Sequence, residues 1–191
     1  MPRHPLPDPC ETDPVSILEI RRHAERMNLA DNESALSAAG RAMCERLAKD
    51  APKYALVVSS PLPRAKETAE RIAGHLDGVD PALLPDLGGA AARMFGEMHA
   101  LADWELLMRT SESARRFAEE QLPAWARIAS RVGERDRVLA VSHGGIVDLP
   151  AIVVAKQLGA TLNGASFGYG EGVRVTYAKG APVKIEELRV R

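Results

Sequence analysis

Three short apolar runs in this chain each end on residues able to hold or attack an anion. VSILEI (15–20) is followed by Arg21-Arg22-His23-Ala24-Glu25, YALVVS (54–59) by Ser60-Pro61-Leu62-Pro63-Arg64, and VLAVS (138–142) by His143-Gly144-Gly145. One histidine at the end of a strand means little. Two of them, accompanied by Arg22 and Arg64, suit the handling of a phosphate monoester, which carries a charge of about −1.5 to −2 at neutral pH. Two guanidinium forks can take its non-bridging oxygens bidentately and neutralise charge as it develops. A neutral imidazole nitrogen can attack phosphorus in line to give a covalent phosphohistidine. A second, protonated imidazole can donate to a phosphate oxygen, and so can the N–H groups of Gly144 and Gly145 at the start of the next helix. The leaving oxygen then needs a proton from a carboxylic acid. Two histidines and a carboxylate also suggest zinc, but the neighbouring arginines would repel a metal ion, so no metal is expected.

These residues need elements to converge them. The three apolar runs read as buried strands. Ser37 is placed to cap a helix running to about Asp50 and stopped by Pro52. Ala65, Ala69, Ile72, Ala73 and Leu76 recur at helical spacing, with Gly78 after them. Residues 113–132 form the longest helical pattern, with Phe117, Leu122, Trp125, Ile128 and Val132 on one stripe and Pro123 as a possible kink. Residues 146–158 read as a buried helix, and 172–190 as two strands around a Lys-Gly turn. Residues 79–109 suggest a short strand near 82–84 and then a loop with helical pieces that could cover a site. Strands alternating with helices imply one α/β domain, a three-layer α/β/α sandwich whose central sheet is mostly parallel with helices on both faces. In such sheets ligands bind beyond the carboxyl ends of the strands, where both histidines fall.

Composition narrows the function. The chain has 191 residues, 46% hydrophobic and 27% charged, with 25 basic and 26 acidic side chains and a formal net charge of −1. That size fits one core, and that balance disfavours binding nucleic acid through bulk phosphate attraction. Cys10 and Cys44 form no CxxC pair, which fits a reducing cytosol. No apolar run has the roughly 20 residues of a membrane span. Residues 1–14 are proline-rich with no apolar stretch of a secretory signal, so they read as a flexible tail before a catalytic domain over 15–191. No nucleotide-binding glycine loop is present, and no cofactor is expected. His4, His75 and His99 have no partners in sequence and read as surface residues, Trp104 and Trp125 as packing residues, with lining of a substrate pocket as the alternative for Trp104, and Cys44 as core.

Four segments in order carry a resemblance to a family: Arg22-His23-Ala24, Leu36-Ser37-Ala38-Ala39-Gly40, Arg64-Ala65-Lys66-Glu67-Thr68-Ala69 after a Ser-Ser-Pro turn, and Ser142-His143-Gly144-Gly145. Together they resemble the histidine phosphatase superfamily, also called phosphoglycerate-mutase-like, over roughly residues 15 to 191. The resemblance implies that His23 is the nucleophile, that Arg22, Arg64 and His143 form the phosphate pocket, and that the chemistry needs no metal. It also implies a small phosphorylated substrate and leaves the oligomeric state unread, while the cysteine usage and the start of the chain lead to the expectation of a cytoplasmic enzyme.

The chain departs from the family pattern in two places. Relatives often carry Trp-Asn soon after the first motif, the Asn touching phosphate; Asn28 falls one residue early with no Trp before it. Relatives place the general acid in Leu-x-Glu before a glycine turn; Leu84-Pro85-Asp86-Leu87-Gly88 fits with Asp86 in place of Glu, and Phe95-Gly96-Glu97 offers Glu97 as a second candidate. A phosphatase of phosphate monoesters is the expected function. The alternatives are a phosphoglycerate mutase-type phosphotransferase, a phosphohistidine protein phosphatase if Asp86 and Glu97 are both inert, and a weakly catalytic sensor of a phosphorylated ligand.

Overall fold

The structure is a computed structural model that describes residues 15–84 and 98–190. Its centre is a six-stranded sheet in the order β3-β2-β4-β1-β5-β6. The strands are β1 (Val15–Arg22), β2 (Leu56–Ser59), β3 (Gly78–Val79), β4 (Arg137–Ser142), β5 (Gly172–Ala178) and β6 (Ala181–Leu188). The pairs β1/β4, β2/β4 and β2/β3 are parallel, whereas β5 runs antiparallel to both β1 and β6. The parallel part is built from the three apolar runs, as expected for strands buried on both faces. The antiparallel hairpin closes through Lys179 and Gly180, at φ 51° and 79°. Two consecutive left-handed residues match the twist of the flanking strands, and the glycine takes the second position without steric cost.

Five helices cover the two faces among the described residues: α1 (Ala38–Lys49), α2 (Pro63–Ala73), α3 (Leu101–Thr110), α4 (Glu112–Ala129) and α5 (Asp148–Gln157). Side chains alternate along a strand, so each strand feeds two cores. Leu18, Ile20, Val58, Val138, Ala140 and Val173 pack with Trp104, Trp125 and Ile128 from the α3–α5 layer. Val57, Leu139 and Val141 point the other way, to Cys44, Ala65, Ala69 and Ile72 of α1 and α2. The three-layer α/β/α sandwich expected from the sequence is thus the observed one.

Local stop signals set the helix ends. Ser37 caps α1, its Oγ accepting from Gly40 N at 2.9 Å. The helix α2 ends at Gly74, left-handed at φ 80° with its N–H on Glu70 O, four residues before Gly78. The strand expected near 82–84 is instead a 3-10 turn, Pro81–Leu83. Pro81 lacks the N–H a ladder requires, and Asp80 Oδ1 accepts from Ala82 N at 3.1 Å. The pairing moves back to Gly78 and Val79. Likewise α5 begins at Asp148 rather than 146, because Gly145 adopts φ 76° and the chain turns before it coils. The tail at 1–14, Asp86 and Glu97 lie outside the described residues.

Candidate active site

Strand register brings the chemistry to one layer. Arg22 of β1 stands beside Ser142 of β4, and Ser59 of β2 beside Val141. One step further along, His23 N donates to Ser142 O and Ser60 N to Val141 O, each at 2.9 Å. His23, Ser60 and His143 therefore leave adjacent parallel strands together, at the carboxyl edge of the sheet. The two imidazole rings meet edge to face, with centroids 5.1 Å apart.

The His23 ring has a defined orientation. Its Nδ1 lies 2.7 Å from Ala24 O, a carbonyl that can only accept, so the proton sits on Nδ1 and the Nε2 lone pair is free of it. Nε2 receives a hydrogen bond from Arg64 Nε at 3.0 Å. Burial pushes the His23 pKa down to about 3; the Ala24 carbonyl opposes this, and the charges of Arg64, Arg22 and Arg26 add to it. Burial, then the adjacent His23 imidazole and the charges of Arg64, Arg22 and Arg26, also hold His143 well below its ordinary pKa. Both imidazoles are neutral at pH 7. For His23 that is the state a nucleophile needs. For His143 it differs from the protonated donor expected from the sequence, and the reason is desolvation beside three arginines.

Arg22 and Arg64 frame the pair. Arg64 is the second residue of α2, at a helix start with no side-chain cap on Leu62. Its Nη1 donates to Asn32 O at 2.8 Å, and burial lowers its pKa to about 10, so it stays charged. Arg22 Nη1 donates to Phe167 O at 3.0 Å. Gly144 leaves room for this guanidinium: a Cβ there would lie 3.1 Å from Arg22 Cζ. Two buried nitrogens of the cluster, Arg22 Nε and His143 Nδ1, have no hydrogen-bond partner among the described residues. Such groups are costly to leave unsatisfied, and the Arg22 N–H, which can only donate, marks a place built to receive an acceptor oxygen.

Asn28 is not brought into this cluster. It is exposed on the loop after His23, and its Oδ1 accepts from Ala30 N at 2.9 Å. Asn32 carries the loop's contact with Arg64 instead, through its backbone. The Gly145 N–H expected as a phosphate donor is already committed to Asp148 Oδ2 at 2.8 Å. Trp104 is 2% exposed, yet with Arg22, Met98, Gly144, Gly145, Asp148 and Ser166 it lines a cavity of about 230 Å³ beside the cluster.

Several supporting residues were not singled out from the sequence. Thr68 accepts from Ala24 N at 3.0 Å and donates to Arg64 O at 2.7 Å, tying α2 to the turn that holds His23. Ser60 Oγ is 2.7 Å from His143 Nε2. Asp148 is buried and accepts from Phe167 N at 2.8 Å as well as from Gly145, which fixes the two segments touching Arg22. A lone acid in the apolar segment IVDLPAIVVA was its available signal. Tyr169, whose ring centroid lies 5.7 Å from that of His23, had none.

Comparison with known proteins bears on this arrangement. A family model described as histidine phosphatase superfamily (branch 1) matches residues 19–181. No curated protein matches the chain significantly. Among solved structures, a phosphoglycerate mutase from Bacillus anthracis str. Sterne is similar with a TM-score of 0.62 at 17% identity, over 92% of this chain and 93% of that one. A mycobacterial glucosyl-3-phosphoglycerate phosphatase gives 0.59 at 20%, over 91% and 97%. A phosphoserine phosphatase from Entamoeba histolytica, in complex with 3-phosphoglyceric acid, gives 0.55 at 18%, over 92% and 98%. At these identities the likeness speaks for the fold, and the match to the family model decides membership: the chain belongs to the histidine phosphatase superfamily, branch 1.

Proposed function

We propose that this chain is a phosphatase that hydrolyses a small phosphate monoester through a phosphohistidine on His23, without a metal. The observation that carries the reading is the neutral His23 ring, with Nδ1–H held by Ala24 O and Nε2 left as the lone pair. Nε2 attacks phosphorus, and the bond from phosphorus to the ester oxygen breaks. Arg64 Nε, which holds the lone pair beforehand, turns its N–H to a phosphoryl oxygen as the new N–P bond forms. Arg22 and the backbone at Gly144 stabilise the remaining oxygens. A dianionic group between the two imidazoles raises the proton affinity of His143, which then donates to phosphate. The leaving oxygen takes its proton from a carboxylic acid, with Asp86 the first candidate and Glu97 the second. Water then attacks phosphorus as its proton passes to that carboxylate, the N–P bond breaks, its electron pair returns to His23 Nε2, and inorganic phosphate leaves.

Relatives of this fold include a mutase as well as phosphatases, so transfer to water is the part that needs testing. The test is turnover of an aryl phosphate with chelator present, by the wild type and by His23→Ala. Release of inorganic phosphate that survives chelator and disappears in the variant supports the reading. Full activity in His23→Ala would sink it.

A further inference from the structure

Tyr169 sits between α5 and β5, in a segment without motif or periodicity, yet it touches two of the residues assigned to phosphoryl transfer. Arg22 Cζ lies 4.6 Å from the centre of its ring, and the His23 ring is tilted 45° to it at 5.7 Å. The backbone on both sides of Tyr169 is tied down. Phe167 N donates to Asp148 Oδ1, and Phe167 O accepts from Arg22 Nη1. Gly170 N donates to Arg22 O at 3.1 Å, and Gly170 O accepts from Arg21 Nη1 at 2.8 Å. The ring is therefore presented to Arg22 by a segment that Arg22 and its neighbour themselves hold.

An arginine carries many rotamers, and a single hydrogen bond at Nη1 leaves its plane free to swing. An aromatic face at cation–π distance restricts that plane, most strongly where the cation is partly desolvated, as it is here. We propose that Tyr169 is a positioning residue for the phosphoryl pocket. Its ring fixes the plane of Arg22, so that the unpartnered Nε meets a phosphoryl oxygen, and it packs beside the His23 imidazole. The proposal rests on the reading of this site as a phosphoryl pocket. The interaction belongs to the ring rather than to the hydroxyl, so phenylalanine is able to replace tyrosine and an aliphatic side chain of similar bulk is not.

The experiment compares Tyr169→Phe and Tyr169→Leu with the wild type. It uses calorimetric binding of inorganic phosphate, together with kcat and KM for an aryl phosphate. Tyr169→Phe keeps phosphate affinity and KM within about twofold of the wild type, whereas Tyr169→Leu weakens both by about two- to thirtyfold. Melting temperatures that match between the two variants show that the difference is not one of folding. Equal phosphate affinity in all three proteins overturns the proposal, as does a Phe variant as impaired as the Leu variant. A wild type that binds phosphate but turns nothing over contradicts the proposed function alone, and the binding series still decides the role of Tyr169. A wild type that does not bind phosphate contradicts both.

Discussion

At the residue scale the site depends on close approach and on protonation, and each gives a prediction. Gly144 needs no unusual backbone angle; its role is to leave space for Arg22. A Cβ at 3.1 Å from Cζ and Nη1 forces the guanidinium aside by a few tenths of an ångström, and the Phe167 carbonyl resists that shift. Gly144→Ala is expected to cut kcat/KM for an aryl phosphate about tenfold, with the protein still folded. The second prediction follows from His23, whose pKa falls from 6.5 in the unfolded chain to about 3 in the fold, with His143 shifted the same way. Between those values the unfolded chain binds more protons than the folded one. The neutral rings thus contribute stability that is full above pH 6.5 and is lost as pH falls from 6.5 toward 3. Denaturation midpoints measured across that window should fall with pH, and His23→Gln should flatten the slope. A slope unchanged by the substitution would show that His23 is not the group being protonated.

At the element scale the motifs turn out to be packing devices as much as chemistry. In Leu36-Ser37-Ala38-Ala39-Gly40, Ser37 caps α1 and its Oγ donates to Glu25 Oε1 at 2.8 Å. Gly40, without a Cβ, lies against the Glu25 backbone. The motif docks α1 onto the turn after His23, and Gly40→Ala should destabilise the fold by collision with that backbone. Glu67, three residues after Arg64 on α2, accepts from Leu36 N and from Arg41 and Arg71, so it serves the same junction. Glu19 on β1 was hidden within an apolar run. Its carboxylate is fully buried and receives Arg174 Nη2 at 2.9 Å and Tyr54 Oη at 2.9 Å, with Arg21 and Arg137 each at 3.4 Å. Glu19→Ala would leave these cations without their shared anion. It is expected to cost about 3 kcal/mol in equilibrium unfolding, with Glu19→Gln losing less because it keeps acceptors for some of the hydrogen bonds. A loss below about 0.5 kcal/mol, the range of an ordinary surface change, would contradict that role. Strands and helices were legible in the sequence wherever apolar spacing was continuous. They were misread where one proline or glycine decided: Pro81 for the absent strand, Gly74 for the end of α2, and Gly145 for the late start of α5.

At the scale of the whole molecule, the order of the strands explains why so much of the site could be read without coordinates. β1, β2 and β4 are neighbours and parallel, so whatever follows each of them in sequence meets at one edge. His23, Arg64 and His143 were legible for that reason. Asn28 was not correctly placed by spacing, because a long loop has no period to set where its side chains point. Thr68 and Ser60 were read only as parts of their motifs, and Tyr169 not at all, because Ala24, His143 and Arg22, the partners that give them roles, belong to other elements. Among the described residues no helix is long and apolar enough to cross a membrane, and the family match covers nearly all of the folded region. The proposed function turns on the chemistry of His23. The most direct test is to quench the protein during turnover of a radiolabelled phosphate monoester, keep it at alkaline pH, and locate the label by peptide mapping. Transfer through His23 predicts an acid-labile, alkali-stable phosphoryl group on the peptide containing His23, absent from His23→Ala. A turning-over enzyme that carries no label, or carries it on another residue, would contradict it.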